Sequence, residues 1–189
     1  MRSRLSFVLL TPLLALSLVS CGRPQQEEQE QEQEIQAPAK GVDRSKAGQP
    51  MPVVEILNSD VETATLIAAS GQPVVVNLWA SWCAPCVKEL PTLDSLSRRK
   101  GAPRVIAVSE EMAERASVDA FLEKHGIANL ESWRDPNMSL SGALGVQVMP
   151  TTIYYDASGR ELWRYVGDLD WTGEEAAKLL ADAGRAKEG

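Results

Sequence analysis

The sequence is poor in the residues that most metal and nucleic-acid sites require. Its 189 residues include one histidine, His125, and three cysteines, and 26 acidic residues outnumber 19 basic ones, which gives a net charge of −7. A zinc site normally takes four Cys or His ligands, and such a set is hard to assemble here. The chain also lacks a basic cluster with interleaved aromatics. We therefore expect no metal, no other cofactor and no nucleic-acid partner.

The apolar stretch near the start of the chain is too short for a comfortable membrane span. Leu5 to Val19 follows a short basic region and is interrupted by Thr11, Pro12 and Ser17. A membrane-spanning helix needs about 20 apolar residues, whereas an export signal has a shorter apolar core behind basic residues. We predict that residues 1–20 are an export signal.

The predicted signal ends in Leu18, Val19, Ser20 and Cys21. This ending resembles the bacterial lipobox, which implies cleavage before Cys21 and acylation of its thiol. An ordinary cleaved signal followed by an incidental cysteine is the alternative. Acylation also explains the odd cysteine count, because it leaves an even pair in the rest of the chain. We expect a lipid-anchored protein of the cell envelope that faces the periplasm, with the choice of inner or outer membrane open.

The segment after Cys21 has the composition of a solvated linker. Gln25 to Gln36 contains five Glu, no basic residue and one apolar residue. Such a segment cannot bury enough apolar surface to fold. We predict a disordered Glu/Gln-rich tether over residues 21–48 and one folded domain over residues 49–189.

Within that domain, strand and helix patterns alternate. An unbroken apolar run such as residues 74–80 suits a central strand that is covered on both faces. We predict strands at 53–57, 74–80, 104–109, 129–133, 151–155 and 161–166, and helices at 61–69, 87–100, 118–125, 138–144 and 174–183, the last stopped by Gly184. This order predicts an α/β fold in which a mixed central sheet is sandwiched by helices.

The sequence WASWCAPC, Trp79 to Cys86, lies where the central strand gives way to a helix. A thiol at a helix start lies near unpaired N–H groups and the positive end of the dipole, which stabilise its thiolate. We therefore predict that Cys83 is the nucleophile and that Cys86, one turn further in, resolves the mixed disulfide. A purely structural disulfide would stabilise by only about 2 kcal/mol over so short a loop. Two unrelated core cysteines are the other alternative.

Three segments together resemble a known family: VVVNLWASWCAPCVKELPTL, GALGVQVMPTTIYYDASG and YVGDLDWTGEEAAKLL. They are similar to thioredoxin-fold proteins of the TlpA/ResA/CcmG kind, and most similar to the TlpA branch. The resemblance implies a thioredoxin-like fold and a membrane-tethered thiol:disulfide oxidoreductase. It implies that Trp82 and Pro85 flank the redox-active Cys83 and Cys86. It also implies that Met149 and Pro150 form a loop in which a cis proline faces the disulfide.

Asn77 stands six residues before Cys83, where thioredoxins carry a buried acid. An amide cannot take up or release a proton near neutral pH. The resemblance implies that a Glu after the next strand assists instead, and Glu110, Glu111 and Glu114 are the candidates. We favour Glu111, while Glu89 is interpreted as a structural position.

The resemblance implies that the protein reduces disulfides in exported clients and receives electrons from an integral membrane thiol donor. Apocytochrome c and the copper-site assembly proteins of cytochrome oxidase are the clients it suggests, and we expect a monomer. One alternative is a net disulfide oxidant or isomerase. A binding module of the copper-chaperone kind is another, although such proteins resemble C-x-x-x-C with a distant His.

Overall fold

The structure is a computed structural model that describes residues 38–185. The predicted signal (1–20), the lipidation candidate Cys21 and the tether up to residue 37 lie outside the described residues. No helix in the described part of the chain is long and apolar enough to cross a membrane.

Within residues 38–185, eight strands form one mixed sheet in the order β1-β8-β7-β4-β5-β6-β2-β3. They are β1 (Gly41–Asp43), β2 (Ile56–Leu57), β3 (Thr63–Ala64), β4 (Val74–Trp79), β5 (Arg104–Ser109), β6 (Glu131–Arg134), β7 (Thr151–Tyr155) and β8 (Glu161–Val166). Strand β4 pairs in parallel with β5 and antiparallel with β7. The predicted hairpin joins β7 to β8, with the same bounds as the prediction.

The helices are α1 (Ala84–Ser97), α2 (Arg115–Lys124), α3 (Ser139–Leu144) and α4 (Glu174–Arg185), with a 3-10 helix at Leu66–Ala69. They cover both faces of the sheet. Successive side chains of β4 point to opposite faces, so the contacts of β4 show which helices lie on each. Val75 and Trp79 pack in one apolar cluster with side chains of α1, α2 and α4. Val74, Val76 and Leu78 pack in the other with side chains of α3 and the 3-10 helix. The predicted sandwich is therefore confirmed.

The sheet begins eight residues before the predicted domain boundary at Gln49. Gly41–Asp43, which lies inside the predicted tether, forms β1 and pairs antiparallel with β8. Only Val42 of its three residues is apolar, so the segment has no hydrophobic pattern that would indicate a strand. Backbone pairing to the edge of β8 orders it instead.

Two predicted elements before β4 differ in the structure. The strand expected at 53–57 contains only Ile56–Leu57, and the helix expected at 61–69 is replaced by β3 and the 3-10 helix. The cause is a tight turn, in which the Asn58 side chain accepts hydrogen bonds from the N–H groups of Asp60 and Glu62. Such Asx turns reverse the chain and compete with helix formation.

The ends of several helices also need correction. The helix at the cysteine motif ends at Ser97 rather than at residue 100, and the next helix begins at Arg115 rather than at residue 118. Gly184 does not stop the last helix, which continues to Arg185. A single glycine in a helix costs only about 1 kcal/mol, and the buried Ala183 beside it keeps the last turn packed on the core.

Candidate active site

Cys83 and Cys86 are joined by a disulfide at the start of α1. Cys83 is the N-cap residue, and its sulfur accepts a hydrogen bond from the N–H of Cys86 at 3.3 Å. Pro85 lies in the first turn, where the missing N–H leaves no donor unpaired. The two sulfurs differ in access, because Cys83 is 7% exposed and Cys86 is fully buried. Cys83 is therefore the more accessible of the two cysteines, and it is the one that lines the neighbouring cleft.

A cleft of about 500 Å³ opens beside Cys83. Trp82 stands at its edge with 66% of its surface exposed. Most of the lining side chains are apolar, which suits an uncharged segment of a polypeptide. The cleft is lined by Trp82, Cys83, Ala84, Pro85, Met138, Ser141, Val146, Gln147, Val148 and Met149. The structure thus brings the predicted Trp82, Pro85 and Met149 together around the outer cysteine.

The loop before β7 carries the expected proline conformation. The peptide bond between Met149 and Pro150 is cis. The Pro150 carbonyl accepts a hydrogen bond from the N–H of Gly167 at 2.8 Å, which ties this loop to the end of β8. Met149 lines the cleft beside Cys83, and the orientation of Pro150 towards the disulfide stays a prediction.

A buried polar network links β4 and β7 to α1 at Glu89, three residues after Cys86. Asn77 Nδ2 donates to Glu89 Oε1 at 2.7 Å and to Thr152 Oγ1 at 2.9 Å. The other Glu89 oxygen accepts from the N–H of Leu169 and from Trp171 Nε1. Burial raises the pKa of Glu89 to about 7, against the opposing effect of these hydrogen bonds.

Glu89 lies three residues after Cys86 on α1, so the two side chains share one face of the helix. Both are buried. The sequence interpretation treated Glu89 as a structural position. Its raised pKa and its position three residues after the inner cysteine are also features of a candidate acid–base group.

The three Glu candidates after β5 lie in different environments. Glu110 is buried, and Oε2 of its carboxylate accepts a hydrogen bond from Ser141 Oγ at 2.7 Å. Burial raises the pKa of Glu110 to about 7, and the charge of Asp135 adds to the rise. The Glu111 carboxylate accepts from the N–H and hydroxyl of Ser81. Glu114 is the N-cap residue of α2.

Ser141 and Met138 were not predicted as site residues. Both line the cleft, although the sequence pattern indicated only a short helix there. Met138 adopts the left-handed conformation with φ +54°, which no sequence signal indicates for a methionine. Across residues 38–185, no three His, Cys, Asp or Glu side chains are grouped so that they could hold a metal ion.

Residues 46–181 match the Redoxin family. The thiol:disulfide interchange protein DsbE of Pseudomonas fluorescens biotype C is 33% identical over 145 residues, which are 74% of this chain and 79% of that protein. The thiol-disulfide oxidoreductase ResA of Bacillus anthracis is 25% identical over 129 residues, which are 67% of this chain and 73% of that protein.

The solved structures include a similar fold. The crystal structure of the exposed lipoprotein thioredoxin of Streptococcus pneumoniae strain TIGR4 superposes with a TM-score of 0.55 at 26% identity. The match covers 67% of this chain and 94% of that one. The predicted thioredoxin-like fold is confirmed, whereas the assignment to the TlpA branch stays a prediction.

Proposed function

Because this chain belongs to the Redoxin family and is a thiol:disulfide oxidoreductase, we propose that it reduces disulfide bonds in exported client proteins. The observation that supports this most directly is the unequal exposure of the two cysteines at the start of α1. Cys83 faces the apolar cleft, while Cys86 is buried behind it. The Cys83 sulfur reacts with the client, and the Cys86 sulfur reacts afterwards with Cys83.

The proposed reaction has two exchange steps. In the dithiol form, the Cys83 thiolate attacks one sulfur of the client disulfide, which forms a mixed disulfide and releases the first client thiolate. The Cys86 thiolate then attacks the Cys83 sulfur, which closes the disulfide seen here and releases the second client thiolate. Two electrons pass from the cysteine pair to the client, and a membrane thiol donor restores the dithiol form.

Cys86 must lose its proton before the second step. We propose Glu89 as the acceptor in place of the predicted Glu111, because Glu89 is buried on the same helix face as Cys86 and its pKa lies near 7. A base whose pKa lies near the working pH is ionised in a useful fraction of molecules and is still basic enough to accept a proton from the thiol. The Glu111 carboxylate instead accepts hydrogen bonds from Ser81, which precedes Cys83 in the chain.

The reduction potential separates a net reductant from the alternative oxidant or isomerase. We expect equilibration with glutathione to give a value below about −200 mV, as for thioredoxin-like reductants, rather than near about −120 mV, as for the strong oxidant DsbA. The measurement is the oxidised fraction of Cys83 and Cys86 across glutathione ratios, read by mass after thiol alkylation. A potential near the oxidant value would contradict net reduction.

For the clients, we propose apocytochrome c or the copper-site assembly proteins of cytochrome oxidase. This rests on the resemblance of the cysteine motif and the cis-proline loop to the TlpA/ResA/CcmG proteins. An apolar cleft beside Cys83 is compatible with an extended client segment around its cysteines. We expect the protein to act as a monomer.

We propose that the mature chain is anchored through an acylated Cys21. Replacing Cys21 with Ser removes the thiol that would carry the lipid, so we expect the variant to move from the membrane to the soluble fraction. Cys83→Ser is the matched control, because it also removes one thiol but should stay with the membrane. Intact-mass analysis that finds an unmodified Cys21 in the mature protein would contradict the anchor. Density-gradient fractionation would assign the inner or outer membrane.

A further inference from the structure

The reaction proposed above uses Glu89 but not the second buried carboxylate with a raised pKa, Glu110. Glu110 directly follows β5, and its N–H donates to the carbonyl of Trp79 at 2.8 Å. This bond fixes Glu110 at the end of the parallel strands β4 and β5. Its side chain is only 1% exposed, and Oε1 has no hydrogen-bond partner within the described residues.

The partner of Glu110 is the first turn of α3. The N–H groups at a helix start have no partner inside the helix, and the N-cap residue Met138 has no side-chain oxygen to accept them. Asp135, which follows β6, accepts from the N–H of Leu140 at 2.6 Å. Glu110 accepts from the Ser141 hydroxyl at 2.7 Å. Two buried carboxylates from neighbouring strand ends therefore hold this turn.

The same turn forms one wall of the cleft. Met138 and Ser141 both line it, and the chain that leaves α3 continues through Val146 to Met149 along the cleft before the cis proline. A shift of the first turn of α3 therefore changes the surface that a client meets beside Cys83. Glu110 itself is not among the lining residues, so it acts on the client only through α3.

On the basis of the proposed function, we propose that Glu110 is a positioning residue for the client, and that its protonation sets how firmly α3 is held against the cleft beside Cys83. Glu110 does not take part in the exchange of sulfur atoms. Its carboxylate fixes the wall against which a client segment packs.

The hydrogen bonds around Ser141 can accommodate both the ionised and the protonated form of Glu110. The Ser141 hydroxyl has one proton and lies 2.7 Å from Glu110 Oε2 and 3.1 Å from the Met138 carbonyl. When Glu110 is ionised, Ser141 donates to it in a charge-assisted hydrogen bond. When Glu110 is protonated, it donates to Ser141, whose proton then turns to the Met138 carbonyl.

The charged surroundings of Glu110 come mainly from β6. Asp135 follows that strand, and its charge adds to the rise in the pKa of Glu110. Arg134 is buried nearby, but its guanidinium donates to the carbonyl of Ala113. Neither α3 nor β4 contains a charged residue. Burial and one acidic neighbour thus bring the titration of Glu110 to about pH 7.

NMR titration tests the coupling without any client. We expect the amide signals of Leu140 and Ser141 in the oxidised protein to shift with a midpoint near pH 7. In Glu110→Gln, which keeps the size and an acceptor oxygen but cannot titrate, these shifts should disappear. Glu123→Gln, an exposed carboxylate on α2, is the matched control and should leave them unchanged. If the α3 amides do not titrate, or if they titrate equally in Glu110→Gln, the proposal is overturned.

Kinetics test the consequence for the client. The probes are a synthetic peptide with a Cys-x-x-Cys disulfide flanked by apolar residues, and the small reagent 5,5′-dithiobis(2-nitrobenzoic acid). We expect KM for the peptide to fall by about fivefold as pH rises through 7, because hydrogen bonds to a charged acceptor are stronger. Glu110→Gln should lose this pH dependence and react with the small reagent at the wild-type rate.

The results of these kinetic experiments distinguish the positioning role of Glu110 from the proposed reduction of client disulfides. If Glu110→Gln slows the small reagent as much as the peptide, Glu110 acts on the cysteine chemistry and the positioning role is wrong. If the wild type reacts with the small reagent but reduces no peptide at any pH, the proposed reduction of clients fails. In that case the NMR titration still decides the coupling between Glu110 and α3.

Discussion

Cys86→Ser is expected to trap clients as mixed disulfides through Cys83, whereas Cys83→Ser is expected to trap none. Cys83 is at the helix N-terminus on the cleft, and Cys86 is fully buried. Without the Cys86 thiol, the mixed disulfide formed by Cys83 has no internal thiolate to resolve it. Either change should lower the rate of client reduction at least about a thousandfold, as expected for loss of a covalent nucleophile or of its partner in the cycle.

Non-reducing electrophoresis and mass spectrometry of the adducts provide the measurement, with the disulfide peptide as probe and with whole envelope extracts as a source of clients. The variant that lacks both thiols is the control for non-covalent association. Equal trapping by the two single variants, or no trapping by either, would show that the nucleophile is assigned wrongly. Adducts from the extracts would also test the proposed cytochrome-related clients.

The sequence allowed the central part of the fold to be predicted closely. The bounds of β5, β7 and β8 agree with the prediction, because each is an apolar or alternating run bounded by turn residues. The cysteine pair at the helix start was predicted for the same reason, since the apolar β4 ends immediately before the motif. These features depend on local pattern, which a sequence displays directly.

The parts that were missed depend on contacts between distant segments. Strand β1 is ordered by the edge of β8, more than 120 residues later in the chain. Glu89 is buried by β4 and by the segment that includes Leu169 and Trp171. Glu110 meets Ser141 only because β5 and α3 come together in the fold. Burial distinguishes these carboxylates from Glu111 and Glu114, and burial of a charged residue leaves no mark in a single sequence.

Glu89→Gln is expected to slow the second exchange step by about a hundredfold near neutral pH, which is at the lower end of what a general base contributes. The amide cannot accept the proton of Cys86, whereas attack by Cys83 on a client needs no help from Glu89. The mixed disulfide should therefore accumulate transiently in the variant. Rapid-quench sampling of the reaction with the disulfide peptide measures the two steps separately.

Asn77 supports the ionised form of Glu89 without adding a second charge. Its Nδ2 donates to Glu89 Oε1 and to Thr152 Oγ1. An aspartate at position 77 would instead place a second buried carboxylate beside Glu89 and oppose its ionisation.

The pH dependence of folding stability provides a second measurement on Glu89. Its pKa is about 7 in the folded protein and lies near the ordinary value of 4.5 in the unfolded chain. The contribution of protonated Glu89 to folding stability is fully present below about pH 4.5 and is lost as pH rises through 7. Above that pH, the folded state has to bury the charged Glu89 carboxylate. Glu89→Gln cannot titrate at this position. Its free energy of unfolding should therefore fall less with rising pH than that of the wild type, by at most about 3 kcal/mol. Urea unfolding of the oxidised protein at several pH values measures this change.

Asp94→Asn is the matched control for both measurements. Asp94 is also a buried carboxylate of α1, and it accepts from the N–H groups of Ala128 and Asn129. It lies eight residues after Cys86, about 12 Å along the helix, too far to take the thiol proton. We expect this control to lower stability but to keep the wild-type rate of the second step. If Glu89→Gln also keeps that rate and its pH profile, the proton of Cys86 passes to solvent or to Glu111, and the role proposed for Glu89 is wrong.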